Sequence, residues 1–208
     1  MNTIELFAGT GSFSKVAKGL GHSIFATDIQ QVDEDFPIHL LVDVRDLRGS
    51  SFPQVMKPVD FLWASPPCEG FSVAAIGKSW NHDNTPKSDT ARHGLELVEH
   101  TWRLIDELEP TWWFIENPRG KLRKLPVMDR APIRHTVTYC QYGDTRMKPT
   151  DIWTNATWWT PRAMCKNGDT CHVSAPRGSR TGTQGLGSYK DKSRVPPVLF
   201  EEIFIQAP

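Results

Sequence analysis

No stretch of this chain approaches the roughly 18 uninterrupted apolar residues of a membrane span, and the opening MNTIELFAGTGS has no basic segment leading into a hydrophobic one. The expectation is a soluble protein with no export signal and no membrane partner. Cysteine is scarce: four residues, at 68, 140, 165 and 171, in a chain of 208. They are too few and too unevenly spread for the disulfide framework of a secreted domain, which points to free thiols in a reducing cytoplasm. There is no internal repeat. The glycine-rich FAGTGS lacks the third glycine of G-x-G-x-x-G and contains no G-K-[ST], so neither a dinucleotide nor a triphosphate fingerprint is present. An excess of one charge is also missing, with 24 Lys and Arg against 24 Asp and Glu.

That neutral total conceals a division. Residues 119–194 hold fifteen Lys and Arg against five Asp and Glu, while the rest hold nine against nineteen. A basic segment joined to an acidic one is the electrostatic pattern of a polyanion binder, although a solvated surface can look the same. At this length one well-buried domain is expected, with room for a small insertion.

The order of elements predicts an α/β fold. Thr3 to Phe7 read as a strand, 8–12 as a turn, and FSKVAKGLG as a helix with apolar spacing at Phe13, Val16, Ala17 and Leu20, closed by Gly21. A strand ending in Asp28 and another ending in Asp43 follow. Strand, glycine turn, helix and strand with a terminal acid begin a doubly wound sheet, mostly parallel. VDFLWAS, 59–65, is a continuous apolar run suited to a strand buried on both faces, and it delivers Pro66, Pro67 and Cys68 to the carboxyl edge where such folds bind ligands. Residues 72–88 read as a long polar loop of the kind that forms lids. A helix is expected from Asp89, with Leu95, Val98, Trp102, Ile105 and Leu108 inward, ending before Pro110. TWWFIEN is another buried strand, ending at Glu116. Strands at 135–141 and 151–157 flank YGDTRMKPT. The tail VPPVLFEEIFIQAP suits a short docking helix. A nucleoside-like ligand fits the first two strand ends: Asp28 can accept from ribose hydroxyls and Asp43 from a base amino group.

LFAGTGSFS, SPPCEGFS, FIENPRG and YGDTRMKPTDIW, in that order and at those intervals, resemble the motif series of the cytosine-C5 DNA methyltransferases, from residue 3 to about 157, and VPPVLFEEI resembles that family's last motif. The resemblance implies a Rossmann-like, S-adenosylmethionine-dependent methyltransferase fold with a small irregular insertion. It divides the chain into a catalytic and cofactor-binding core at 1–157, a reduced target-recognition segment at 158–194 and a helix at 195–208 that docks back. It implies that Cys68 attacks cytosine C6 in a base flipped out of double-stranded DNA, that Glu116 hydrogen-bonds the ring, and that Arg146 and Lys148 hold the flipped nucleotide. For the cofactor it implies Phe7 stacking on adenine, with Gly9, Gly11, Ser12, Asp28, Asp43, Pro67 and Val195 completing the pocket.

Several departures matter. Lys148 stands where the family has a second arginine, two positions before that pair are missing, and Lys192-Ser193 replaces the usual Gly-Asn. Only about thirty-five residues fill the interval in which the family carries its recognition domain. Arg162, Lys166, Arg177 and Arg180 are the DNA-contact candidates there. So short a segment implies a short target or an unidentified specificity partner, and a phage-like setting, in a bacterium or an infected host cell. Cys165, Cys171 and His172 offer three zinc ligands without a fourth, at a non-standard spacing; free thiols in a loop are the preferred reading, and catalysis is expected to need no metal. Two alternatives accompany the main reading: the same chemistry on RNA or dCMP, and a catalytically idle DNA-binding or assembly module. Retention of Cys68, Glu116 and the glycine turn together speaks against the idle module.

Overall fold

The computed structural model describes residues 1–173, 191 and 193–208. Seven strands, β1 (Asn2–Leu6), β2 (Ser23–Asp28), β3 (Leu40–Leu41), β4 (Phe61–Ala64), β5 (Trp112–Pro118), β6 (Ile133–Thr138) and β7 (Pro149–Thr154), form one sheet in the order β3-β2-β1-β4-β5-β7-β6. Among the described residues the helices are α1 (Ser12–Gly19), α2 (Ile76–Ser79), α3 (Asp89–Leu108) and α4 (Pro197–Gln206). Strands β1 to β5 pair in parallel, and β7 enters antiparallel between β5 and β6. The expected α/β, mostly parallel sheet is therefore present.

Central strands are apolar because both faces are covered. Every residue of β4 is buried. One face packs on α3, whose Leu97, Val98, Thr101, Trp102, Leu104, Ile105 and Leu108 repeat at helical spacing. Leu95, expected inward, is only half-buried. Ser88 caps α3 by accepting the Ala91 N–H at 3.1 Å. On the other face Phe13 of α1, Trp63 of β4, Phe114 of β5 and Phe200 of α4 form one aromatic cluster, with Trp63 and Phe200 edge-to-face at 4.7 Å. Leu199, Phe200 and Ile203 bury the tail helix; of the residues that its apolar spacing points inward, Leu199 and Ile203 are buried, whereas Val198 and Phe204 are half-buried and Phe200 takes the core position.

Three differences from the sequence expectation have local causes. The strand expected at 135–141 stops at Thr138, because Tyr139–Tyr142 turn as a 3-10 helix that closes on Gly143 in the left-handed region. The one expected at 151–157 begins at Pro149 and ends at Thr154. The polar loop at 72–88 is anchored: it contains α2, and Trp80 is buried, stacking on Phe71 and donating from Nε1 to the Gly70 carbonyl at 2.6 Å. Among the described residues no helix is long and apolar enough to cross a membrane.

Strand order reverses between β1 and β4, so the loops leaving them part at the carboxyl edge and open a crevice. The register aligns Leu6 with Ala64 and Ala64 with Ile115, which sets the three strand exits side by side. Because β7 runs antiparallel, with Pro118 opposite Thr150, its first residues reach the same edge, and Lys148 comes with them.

Candidate active site

The crevice is a cavity of about 1210 Å³, lined on one side by Phe7, Gly9, Asp28 and Asp43 and on the other by Pro67, Cys68, Glu116 and Lys148. Such a volume exceeds that of ordinary small-ligand pockets, roughly 300–1,000 Å³, and leaves room for two flat groups at once.

Cys68 is delivered by β4 through Ser65, Pro66 and Pro67. Its carbonyl accepts the N–H groups of Phe71 and Ser72 at 3.0 and 2.9 Å, which makes the thiol part of a tight turn. Asn117 donates from Nδ2 to the Pro66 carbonyl at 2.9 Å, and the Lys121 N–H donates to the Phe71 carbonyl at 2.7 Å, so the β4 exit is tied to the β5 exit at two points. Glu116, only 5% exposed, accepts the Tyr139 hydroxyl at 2.9 Å. Burial pushes the Cys68 thiol up from its usual range, and the nearby Glu116 charge adds to the effect, while Lys148 opposes it. Burial holds the Lys148 ammonium below its ordinary value, against the pull of Glu116 and Cys68. Its Nζ lies 4.7 Å from the Tyr139 ring centroid. A soft nucleophile, a carboxyl group and an ammonium thus share one wall.

The opposite wall suits a nucleoside. Phe7 and Gly9 both have positive φ, 57° and 53°, which turns the chain sharply out of β1. Asp28 accepts the Gly9 N–H at 2.8 Å through Oδ2, holding that turn against the end of β2. Arg45 grips both Asp43 oxygens, at 3.1 and 2.7 Å, and keeps this carboxyl below the usual range. Both acids line the cavity. Ser12, hydrogen-bonded to the Thr10 hydroxyl at 2.9 Å, and Val195 also line it. Gly11 does not: its left-handed backbone precedes α1, and the Phe36 ring sits 2.1 Å from where a Cβ would be.

Arg146 is likewise absent from the lining and is 4% exposed. Its guanidinium is bound to Asp144 and donates to the Asp191 carbonyl at 2.9 Å, clamping the β6–β7 connection to the stretch that leads to Val195. Of the Arg146–Lys148 pair, only Lys148 faces the cavity. Arg162 lies apart from it, with Nε on Glu202 at 2.6 Å and a terminal nitrogen on the Gln141 carbonyl at 2.7 Å. Lys166 is exposed, in a turn closed by its N–H on Asp169 at 2.7 Å. Arg177 and Arg180 lie outside the described residues.

Sequence reading missed Glu5, Tyr139 and Arg119. Glu5 is an acid inside an apolar strand, which is a visible signal; it lines the cavity and accepts the Phe13 and Ser14 N–H groups at 3.2 and 2.9 Å. Burial pushes it up to about 7. Arg119, on the lining beside Lys78 and His93, follows ENP directly.

The chain matches the C-5 cytosine-specific DNA methylase family over residues 1–125, a span that contains the glycine turn, Cys68 and Glu116. It belongs to that family. A protein of frog virus 3 (isolate Goorha), named as a DNA (cytosine-5)-methyltransferase, is 28% identical over 98% of each chain and so extends the likeness through the tail. Two solved structures share the methylase fold: a DNA modification methyltransferase encoded within an E. coli prophage (TM-score 0.55, 22% identity, 74% of this chain and 46% of that one) and a methyltransferase of Entamoeba histolytica (TM-score 0.56, 15% identity, 74% and 52%). The chain spans about half the length of these two structures. Membership in this methylase family implies S-adenosylmethionine as methyl donor. The donor set fits it: a carboxyl at the end of β2 (Asp28), another two residues past β3 (Asp43, since the strand expected to reach it stops at Leu41), an aromatic ring and a glycine turn without a Cβ, all on one wall.

Proposed function

We propose that this chain methylates C5 of cytosine in DNA through a transient bond between Cys68 Sγ and C6 of a base turned out of the duplex. The observation that carries the reading is the placement of Cys68 and Glu116 at the ends of adjacent parallel strands, on the wall facing the nucleoside pocket.

Cytosine C5 is too electron-poor to attack a methyl group unaided. Sγ, its proton given to solvent, adds to C6; the C5–C6 π pair shifts to C4–C5 and the C4–N3 pair onto N3, which leaves C5 nucleophilic. Glu116, oriented by the Tyr139 hydroxyl, donates a hydrogen from its carboxyl group to N3 and accepts one from the exocyclic amine, so that the negative charge arriving at N3 is neutralised there. Lys148 supplies positive charge beside both the thiolate and the ring. S-adenosylmethionine, when bound, supplies an electrophilic methyl group on the Phe7–Asp43 side. Once C5 carries the methyl group its proton passes to solvent, the C5–C6 double bond re-forms and Cys68 leaves as the thiolate.

Because burial holds the resting thiol neutral, Cys68 is protected until a substrate and Lys148 draw it into the thiolate form. Phe7, Gly9, Ser12, Asp28, Asp43, Pro67 and Val195 hold the donor in this reading, and Arg146 keeps the Lys148 loop in place. Lys166, Arg177 and Arg180 are the DNA contacts assigned to the segment at 158–194; Arg162 contributes by fastening that segment to α4. A short or partner-assisted target is expected.

The test is transfer of labelled methyl from S-adenosylmethionine to duplex DNA, with RNA and dCMP as competing acceptors and Cys68→Ala as control. Label in DNA alone, lost in the variant, supports the reading. Label confined to RNA or dCMP, or undiminished by the substitution, overturns it.

A further inference from the structure

Cys165, Cys171 and His172 acquire a fourth companion in the folded chain. Cys140, in the 3-10 turn after β6, brings its Sγ among theirs, and the four ligand atoms lie within 4.8 Å of one another. Cys140 and Cys171 sulfurs are 3.6 Å apart, Cys171 Sγ and His172 Nδ1 3.5 Å, and Cys165 Sγ and His172 Nδ1 3.7 Å. Zinc bonds of about 2.3 Å to sulfur and 2.0–2.1 Å to nitrogen, in a tetrahedron, place ligand atoms roughly 3.5–3.8 Å apart. Three of these separations already match. The Cys140 to Cys165 separation is 3.1 Å, shorter than that spacing but far longer than a disulfide bond of about 2.05 Å.

The backbone prepares the site independently of the sulfurs. The Cys165 N–H donates to Thr138 Oγ1 at 3.1 Å, and the Val173 N–H donates to the Thr145 carbonyl at 2.9 Å, so one end of the Cys165–His172 loop is pinned to the end of β6 and the other to the β6–β7 connection. Between them, Gly168 at φ 99° and the Lys166–Asp169 turn fold the loop back on itself. Three sulfurs and an imidazole nitrogen converging from two chain segments are a closed set for a structural, tetrahedral metal, with no place left for a substrate.

We infer that Cys140, Cys165, Cys171 and His172 bind one structural zinc ion, which fastens the segment after Trp159 to the catalytic wall. Three thiol protons pass to solvent as the thiolates take the metal, and no redox change occurs. The position suits this task, since Cys140 adjoins Tyr139, the residue that orients Glu116. A polar segment with little core of its own gains from such a staple.

The test uses the full chain, purified under reducing conditions, with metal analysis and cobalt(II) substitution. About one zinc per chain and the intense visible absorption of tetrahedral cobalt–thiolate are expected. Cys171→Ser, at an exposed position, and His172→Ala, at a half-buried one, are each expected to hold the metal at least about a hundredfold more weakly against a chelator. Cys68→Ala, in the other site, should bind as the unaltered chain does, whether or not methyl transfer is found. Absence of zinc with no tetrahedral cobalt spectrum would overturn the inference. So would an intact mass two hydrogens light, marking a Cys140–Cys165 disulfide, or metal binding indifferent to both substitutions.

Discussion

Cys68 is held neutral chiefly by burial, and of the cations around it Lys148 lowers its pKa. Replacing Lys148 with Met should therefore move the midpoint of Cys68 alkylation to higher pH and shift the rise of activity with pH the same way; an unmoved midpoint would remove Lys148 from this role. Glu116→Gln keeps the shape but alters the hydrogen bonding at the ring, and a fall in kcat of about 10²–10³ with little change in DNA binding is expected. Glu5 gives a stability test. With its folded value near 7 against about 4.5 unfolded, the folded chain holds its proton more tightly. The stabilisation, of order 3 kcal/mol, is complete below the unfolded value and lost as pH rises through 7. Glu5→Gln should flatten that slope in denaturant titrations between about pH 4.5 and 7. Cys68 and Glu116 were legible in the sequence because each closes an apolar strand run within a recognisable motif. Tyr139 was not, since it meets Glu116 only because β7 pairs with both β5 and β6 and the turn after β6 begins at Tyr139, which no local spacing records. Arg146 and Gly11 show the reverse: motif position alone placed them at the ligand, whereas a clamp on Asp144 and the packing of Phe36 use them.

Strands and helices were largely readable because the buried parallel strands are continuous apolar runs and α3 keeps a 3.6 period. What was lost lies where backbone detail decides. The 72–88 loop looked mobile by composition, yet Trp80 is packed beneath it. Trp80→Ala should cost about 3–5 kcal/mol, read by chemical denaturation, and should free the loop to proteolysis; no change in either would mean that the loop is not anchored there. The β4 and β5 exits are coupled more tightly still. A Cβ on Gly120 would sit 2.3 Å from the Phe71 carbonyl. Gly120→Ala should therefore displace the Cys68 turn and reduce activity by more than it reduces stability, as kcat and melting curves compared would show.

Over the whole molecule, a neutral total separates into an acidic part and a basic one, and the cavity lining includes Lys78, Arg119 and Lys148 beside its acids. Binding to duplex DNA should weaken roughly tenfold or more between about 50 and 200 mM salt; a flat response would argue for a mononucleotide substrate. The sequence showed this division of charge, but it could not show that Cys140, 25 positions before Cys165, stands beside it, because the contact exists only once β6 and β7 have paired. The central claim is the bond between Cys68 and cytosine C6. A duplex whose cytosines carry fluorine at C5 cannot lose the C5 proton that releases the enzyme, so in the presence of S-adenosylmethionine the account predicts a denaturant-resistant complex whose DNA maps by peptide mass spectrometry to Cys68. Methyl transfer to ordinary duplex without any such complex, or a complex that forms equally with Cys68→Ala, would contradict it.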